Sequence, residues 1–325
     1  MNETLSQAST VSIVHGNDLS ETVPKALDLL GGVQSFFEPS DHVLIKPNVC
    51  GGVPEKIGTF TSIEAISAMI KKLEGKVQKI SIGESNSSMY LADKMFEING
   101  IKEYANSMGI ELVNLSEGPM IDRPIEGGYV FDKIKVSQKL VGAKIVSMPV
   151  AKTHCSTDVT LNLKNMFGIL PRRKKGRYHK KIDPILADIN KAFPPTLSIV
   201  DASTCLEGEG PFHGNPVDLG LIVAGSNAVA VDSVMAKIMG YEPQEIMHIR
   251  LASELGLGPK SLDEIKVVGE SIEMVARDFE KAPQEKVSRP LSWVPGLGHF
   301  IVHYYYETAV KNWKKQANTK ILKKN

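Results

Sequence analysis

Short apolar runs alternate along this chain with longer stretches in which apolar residues recur every three or four positions. Residues 12–14 (SIV), 43–49 (VLIKPNV), 79–83 (KISIG), 111–115 (ELVNL), 144–150 (KIVSMPV), 197–200 (LSIV), 219–223 (LGLIV) and 266–269 (KVVG) have the pattern of buried strands. Ile63, Ile66, Met69, Ile70 and Leu73 fall on one face of a helix over 62–73. The same spacing predicts helices over 22–30, with Pro24 in the first turn, and over 182–192, 227–239 and 243–255. A helical stretch over 89–108 carries a break at Asn99-Gly100. Residues 133–136 predict an edge or hairpin strand, 158–166 a helix or helical turn, and 171–181 a basic loop. This alternation predicts an α/β fold: a mostly parallel sheet with helices on both faces, as one unit or as two α/β halves around a cleft. Residues 1–285 form that domain in this reading, and residues 286–325 a basic, aromatic helical extension.

The polar positions change the picture where they interrupt the strand-like runs. The run 144–150 ends in Lys152, Thr153, His154 and Cys155, and a second polar group, Asn162, Lys164 and Asn165, follows closely. The run 43–49 contains Lys46, Pro47 and Asn48 and leads into Cys50-Gly51-Gly52. The run 197–201 leads through Cys205 into Glu207-Gly208-Glu209-Gly210-Pro211. In open α/β sheets, ligands bind in the crevice beyond the carboxyl ends of the strands, so these three loops are the candidate site. Lysine suits a phosphate or carboxylate as a point charge, which makes Lys46, Lys152 and Lys164 anion ligands, with Asn48, Thr153 and Asn165 as polar neighbours. His154 suits acid–base work or metal ligation, and Asp201 or Glu207 would be its carboxylate complement. Gly208 and Gly210 suit close backbone approach to a ligand. Asp232 reads as a helix-packing or capping group.

Each of the three cysteines follows one of these runs. Cys50, Cys155 and Cys205 suit an iron–sulfur cluster with one open iron, a divalent metal such as zinc with His154 as fourth ligand, a reactive thiol, or inert buried thiols. No CxxC pair is present. Residues 172–181 (RRKKGRYHKK) hold seven Lys/Arg with Tyr178 and His179. They suit a lid carrying positive charge over an anionic substrate, a plain mobile loop, or a nucleic-acid contact.

Composition sets bounds on these readings. The chain has 325 residues, 42% hydrophobic and 23% charged, as in ordinary globular domains. Its formal net charge of +1 argues neither for nor against a nucleic-acid partner, which is not the expected one. No apolar run is long enough to span a membrane, and the first residues lack the basic and apolar regions of a secretory signal. With three cysteines in a chain of this length, a reduced, cytoplasmic setting is expected. The tail holds Trp293, Trp313, Tyr304–Tyr306 and six lysines from Lys311 to Lys324, which suits either docking on the domain or peripheral contact with an anionic membrane.

Taken together, the motifs resemble the DUF362 family, a domain of unknown function. The resemblance covers about residues 40–260. It rests on Lys46-Pro47-Asn48, Thr61, Lys152-Thr153-His154, Lys164-Asn165-Met166-Phe167-Gly168, Tyr178-His179, Asp201, Glu207-Gly208-Glu209-Gly210-Pro211 and Ala230-Val231-Asp232. It implies an α/β fold and names no activity. Some members carry a ferredoxin-like domain with grouped cysteines, which this chain lacks. The layout is also distantly similar to the nickel-pincer lactate racemase fold, in which a site lies between two α/β halves. The function expected is binding of a small anionic metabolite in a cleft lined by lysine and histidine, with enzymatic, metal-assisted chemistry there, against a cluster or metal protein or a surface-binding module.

Overall fold

A computed structural model describes residues 9–49, 58–87, 91–171 and 175–283. The first part runs β1 (Thr10–His15), α1 (Leu19–Asp28), β2 (His42–Pro47), α2 (Ile63–Leu73), β3 (Lys79–Glu84), α3 (Ala92–Ile98), α4 (Ile101–Ser107) and β4 (Glu111–Asn114). A separate hairpin, β5 (Met120–Pro124) with β6 (Lys133–Ser137), leads to β7 (Ala143–Met148), β8 (Val150–His154), β9 (Asp158–Thr160) and the single turn α5 (Asn162–Asn165). Then come α6 (Ile182–Ala192), β10 (Leu197–Glu207), β11 (Asn215–Gly225), α7 (Ala228–Ile238), α8 (Met247–Glu254), β12 (Lys266–Gly269) and α9 (Ile272–Val275).

The large sheet has the order β12-β1-β11-β10-β7-β2-β3-β4, with β8 joined to β10 and β9 to β8. Strands β11 and β9 run against their neighbours; every other pairing in this sheet is parallel. The period-2 alternation of the strands puts apolar side chains on both faces. Ile45, Val146, Ile199 and Ile222 pack under α1, α2, α3 and α4, whereas Leu44, Ile145, Val200 and Val223 pack under α6, α7, α8 and the β5–β6 hairpin. The fold is therefore α/β, mostly parallel, with helices on both faces.

Four local differences from the sequence pattern have physical reasons. Asp18 caps α1 by accepting from Ser20 N, so the helix starts early and Pro24 lies inside it. The expected strand over 197–200 continues to Glu207, because β11 pairs along its whole length across one bulge. Residues 158–160 are a strand paired back onto β8; Asp158, in the left-handed region at φ 63°, turns the chain there. Lys175–Lys181, expected as loop, is a run of 3-10 helix. Residues 286–325 and Cys50 lie outside the described residues.

Candidate active site at the strand ends

Three parallel strands lie side by side in the order β7-β2-β3, and their carboxyl ends carry a buried polar cluster. Lys46, near the end of β2, is fully buried. Its Nζ donates to Glu84 Oε2 at 2.8 Å, to Asn165 Oδ1 at 3.2 Å and to the Pro47 carbonyl at 3.2 Å. Asn165 returns two bonds through Nδ2, to the Lys46 carbonyl at 3.0 Å and to Ser147 Oγ at 3.1 Å. Ser147 and Lys46 are register partners, so one amide bridges two strand ends and the lysine between them. A Cβ on Gly168 would lie 2.5 Å from Lys46 Nζ and 2.6 Å from Glu84 Oε1. Glycine here lets the chain close over the ion pair.

The second lysine sits one strand further on. Lys152, in β8, is also fully buried and donates to Asn48 Oδ1 at 2.8 Å and to the Thr59 carbonyl at 2.6 Å. Thr61 fixes Asn48 in turn: its Oγ1 accepts from Asn48 N at 2.8 Å and donates to the Met148 carbonyl at 2.6 Å. His154 lies two residues along the same strand, on the face shared with Lys152. Its Nδ1 accepts from Ser156 N at 3.0 Å, which assigns the proton of the neutral ring to Nε2. Burial, and then the positive charge of Lys164, His179, Lys152 and His248, holds its pKa well below the ordinary value. His154 is thus a neutral hydrogen-bond donor at neutral pH, better placed to polarise an oxygen than to take a proton.

The ring of Phe167 gathers the cations of the opposite wall. Lys164 Nζ lies 5.3 Å from its centroid, Lys175 Nζ 5.9 Å, and the His179 ring packs edge-on at 5.9 Å. Lys175 is buried; its Nζ donates to Ser85 Oγ, and Ser85 Oγ donates to the Gly168 carbonyl. Burial lowers the Lys175 pKa to about 7; the Glu84 carboxylate opposes this, and Lys46 and Lys164 add to it. Lys164 therefore links the two halves of the site, since its charge reaches both His154 and Lys175.

The carboxylates and glycines of β10 have other partners. Asp201 Oδ2 accepts from Ser62 N and Oγ at 3.0 and 2.9 Å, and Oδ1 from Ser203 N and Oγ at 3.2 and 2.6 Å. It thereby anchors the N-cap of α2, where Ser62 Oγ accepts from Ala65 N. Glu207 Oε2 accepts from Glu280 N at 3.0 Å, and Gly208 N donates to the Glu280 carbonyl. Thr153 Oγ1 turns away from the lysines and donates to the Gly208 carbonyl at 3.0 Å. A Cβ on Gly210 would overlap the Thr153 carbonyl, so this glycine serves contact with β8. Asp232 accepts from Asn162 N, Asn162 Nδ2 and Leu163 N at 2.8–3.0 Å, capping the turn that carries Lys164 and Asn165. Burial raises its pKa to about 6.

Cys205 lies inside β10 in the core, with Sγ directed at the Ala202 carbonyl, because the strand continues where a loop was expected. Cys155 follows β8 and keeps partial exposure; burial raises both thiol pKa values. Among the described residues, no group of three or more His, Cys, Asp or Glu side chains is placed to hold a metal ion. Sequence reasoning missed Glu84, Ser85 and Lys175. The run 79–83 also ends in polar residues, Glu84-Ser85-Asn86, the signal that singled out the other three loops. Lys175 was hidden among seven basic residues.

Fold and site define an α/β protein with a cationic cluster at the carboxyl ends of its parallel strands. The profile of the domain of unknown function DUF362 matches residues 43–237, and the chain belongs to that family. It is 29% identical over 245 residues to the thylakoid-associated protein sll1697 of Synechocystis sp., covering 73% of this chain and 75% of that one. A crystal structure of a Thermotoga maritima protein aligns with a TM-score of 0.43 at 13% identity. That alignment covers 74% of this chain and 60% of the other. No described helix is long and apolar enough to cross a membrane.

Proposed function

We propose that the strand-end cluster binds a small anionic metabolite through phosphate or carboxylate oxygens, and that the protein is an enzyme acting on that metabolite. The observation that carries this reading is Lys175. Its Nζ is buried against a hydroxyl and an aromatic ring, with no carboxylate at ion-pair distance among the described residues. A buried ammonium with no carboxylate in contact is costly, and a bound anion supplies that contact. Lys152 and Lys164 add positive charge to the same strand-end cluster, as does Lys46 beyond its pair with Glu84, and Asn48 and Asn165 hold Lys152 and Lys46 in place. His154, neutral with its proton on Nε2, donates to an oxygen of the ligand. Asp201, Glu207, Gly208 and Gly210 serve the framework in this reading. Isothermal titration with inorganic phosphate at pH 7 tests it. Lys175→Met should weaken binding at least about tenfold, the loss of one charge-assisted hydrogen bond. Equal affinity in the two proteins would end the proposal.

A second reading concerns location. We place the protein in the cytoplasm, with reversible contact to anionic membranes through the lysines and aromatics of residues 286–325. The thylakoid association of the Synechocystis relative supports this. Flotation with phosphatidylglycerol vesicles should carry the full chain at low salt and release it as salt rises. Flotation that is absent at low salt removes the membrane contact.

A further inference from the structure

We propose that Ser85 and Lys175 are a nucleophile–base pair that hydrolyses a small ester or thioester carrying a phosphate or carboxylate. The anionic part of that substrate rests on the anion-binding reading, and in the reacting complex it pairs with Lys164 so that Lys175 is left neutral; the pair itself rests on its own geometry. Ser85 is the first residue after β3, at a parallel strand end where substrates of open α/β sheets meet catalytic side chains. Its Oγ is bonded to Lys175 Nζ on one side and to the Gly168 carbonyl on the other. Its backbone is tied as well: Ser85 N donates to Glu84 Oε1 at 2.8 Å, while Glu84 Oε2 receives Lys46. The hydroxyl is therefore fixed to the same ion pair that organises the crevice.

A serine hydroxyl attacks only when a base removes its proton, and serine–lysine pairs do this on unrelated folds. The lysine must be neutral to act, and the Ser85 hydroxyl must then turn its proton from the Gly168 carbonyl to Nζ. Burial brings Lys175 to about 7, helped by Lys46 and Lys164 and resisted by Glu84. Ser85 and Lys175 are both buried, at 2% and 5% exposed.

The chemistry balances without a further reagent than water. As Ser85 Oγ bonds to the carbonyl carbon, its proton passes to Lys175 Nζ. The oxyanion forms in the positive field of Lys46 and Lys164. On collapse the bond to the leaving alkoxide or thiolate breaks, and Lys175 gives that group its proton. Water then attacks the acyl carbon while Lys175 takes a proton from it. The ester bond to Ser85 breaks, Oγ regains the proton, and a carboxylic acid leaves.

The test is covalent labelling of the full chain with diisopropyl fluorophosphate, read by peptide mass spectrometry from pH 6 to 9. One adduct is expected on the peptide holding Ser85, at a rate that rises through about pH 7, as the lysine loses its proton. Lys175→Arg keeps the cation and its donor but cannot act as a base; it should label about 100-fold more slowly, within the usual range for general-base catalysis. Lys175→Met should match it, and Ser85→Ala should carry no adduct. An unmodified Ser85 in the wild type at pH 8, or an undiminished rate in Lys175→Arg, would overturn the pair. Thermal stabilisation by phosphate separates the two readings. Stabilisation without labelling removes the pair and keeps the anion site, whereas labelling without stabilisation does the reverse.

Discussion

Two groups of polar residues lie at strand ends in this protein, and they are bonded differently. At the ends of β2 and β3, Lys46 bonds to Glu84 and Lys175 to Ser85, and the remaining bonds of the group go to Asn165 and to backbone groups of Pro47, Ser85 and Gly168. At the end of β10, Asp201 and Glu207 bond to backbone N–H groups and to serines that hold up α2 and the chain near Glu280. Asp201 spends its bonding capacity on local anchoring: four donors on two oxygens. The lysine group differs because it contains a buried cation whose partners are neutral. Being polar and at a strand end does not make a residue a ligand; what matters is the bonding capacity left after the fold is built.

The sharpest way to break this comparison is at Lys46. Lys46→Met leaves Glu84 buried beside the crevice without its cation. Breaking one side of a buried pair costs about 3–5 kcal/mol, so the urea midpoint should fall steeply. Asp201→Asn should cost less, about 1–3 kcal/mol, since the amide keeps one acceptor and presents donors to Ser62 or Ser203. Phosphate affinity should stay as in the wild type once the protein is folded. If Asp201→Asn instead kept full stability and lost phosphate binding, the carboxylate would belong to the ligand site and the comparison would fail.

Much of this architecture is legible in the sequence because it rests on periodicity. The α/β class, the helix of Ile63–Leu73 and the break at Asn99-Gly100 all follow local patterns, whereas the full burial of Lys46 and the place of Lys152 inside β8 do not. Nor do the partners of those residues. Glu84 is 38 positions from Lys46, and Ser85 is 90 from Lys175; no spacing rule links them. Cys205 misled for a related reason. A strand end read from apolar content falls at Val200, but the antiparallel partner β11 extends β10 through the polar residues to Glu207. Thr153 sits between two site residues and faces away, as the period of two along β8 requires.

The finest test of the difference between the two groups is their response to pH, because only the lysine group has a cation brought near neutrality. Lys175 has an ordinary pKa of 10.5 and a folded value of about 7. Below pH 7 both folded and unfolded chains hold the proton, and the full penalty for burying the cation is present. Between about 7 and 10.5 the unfolded chain still holds a proton that the fold has released, so this group makes stability rise with pH. An anion that pairs with the ammonium must restore that proton on binding. Sulfate, whose charge is constant over the range, should therefore bind with nearly constant affinity below pH 6. Its affinity should weaken, by up to about tenfold per unit, above pH 7. Lys175→Met should remove this slope while leaving only weaker residual binding. A sulfate affinity with the same pH slope in wild type and Lys175→Met would place the titrating cation elsewhere and return Lys175 to a structural role like that of Asp201.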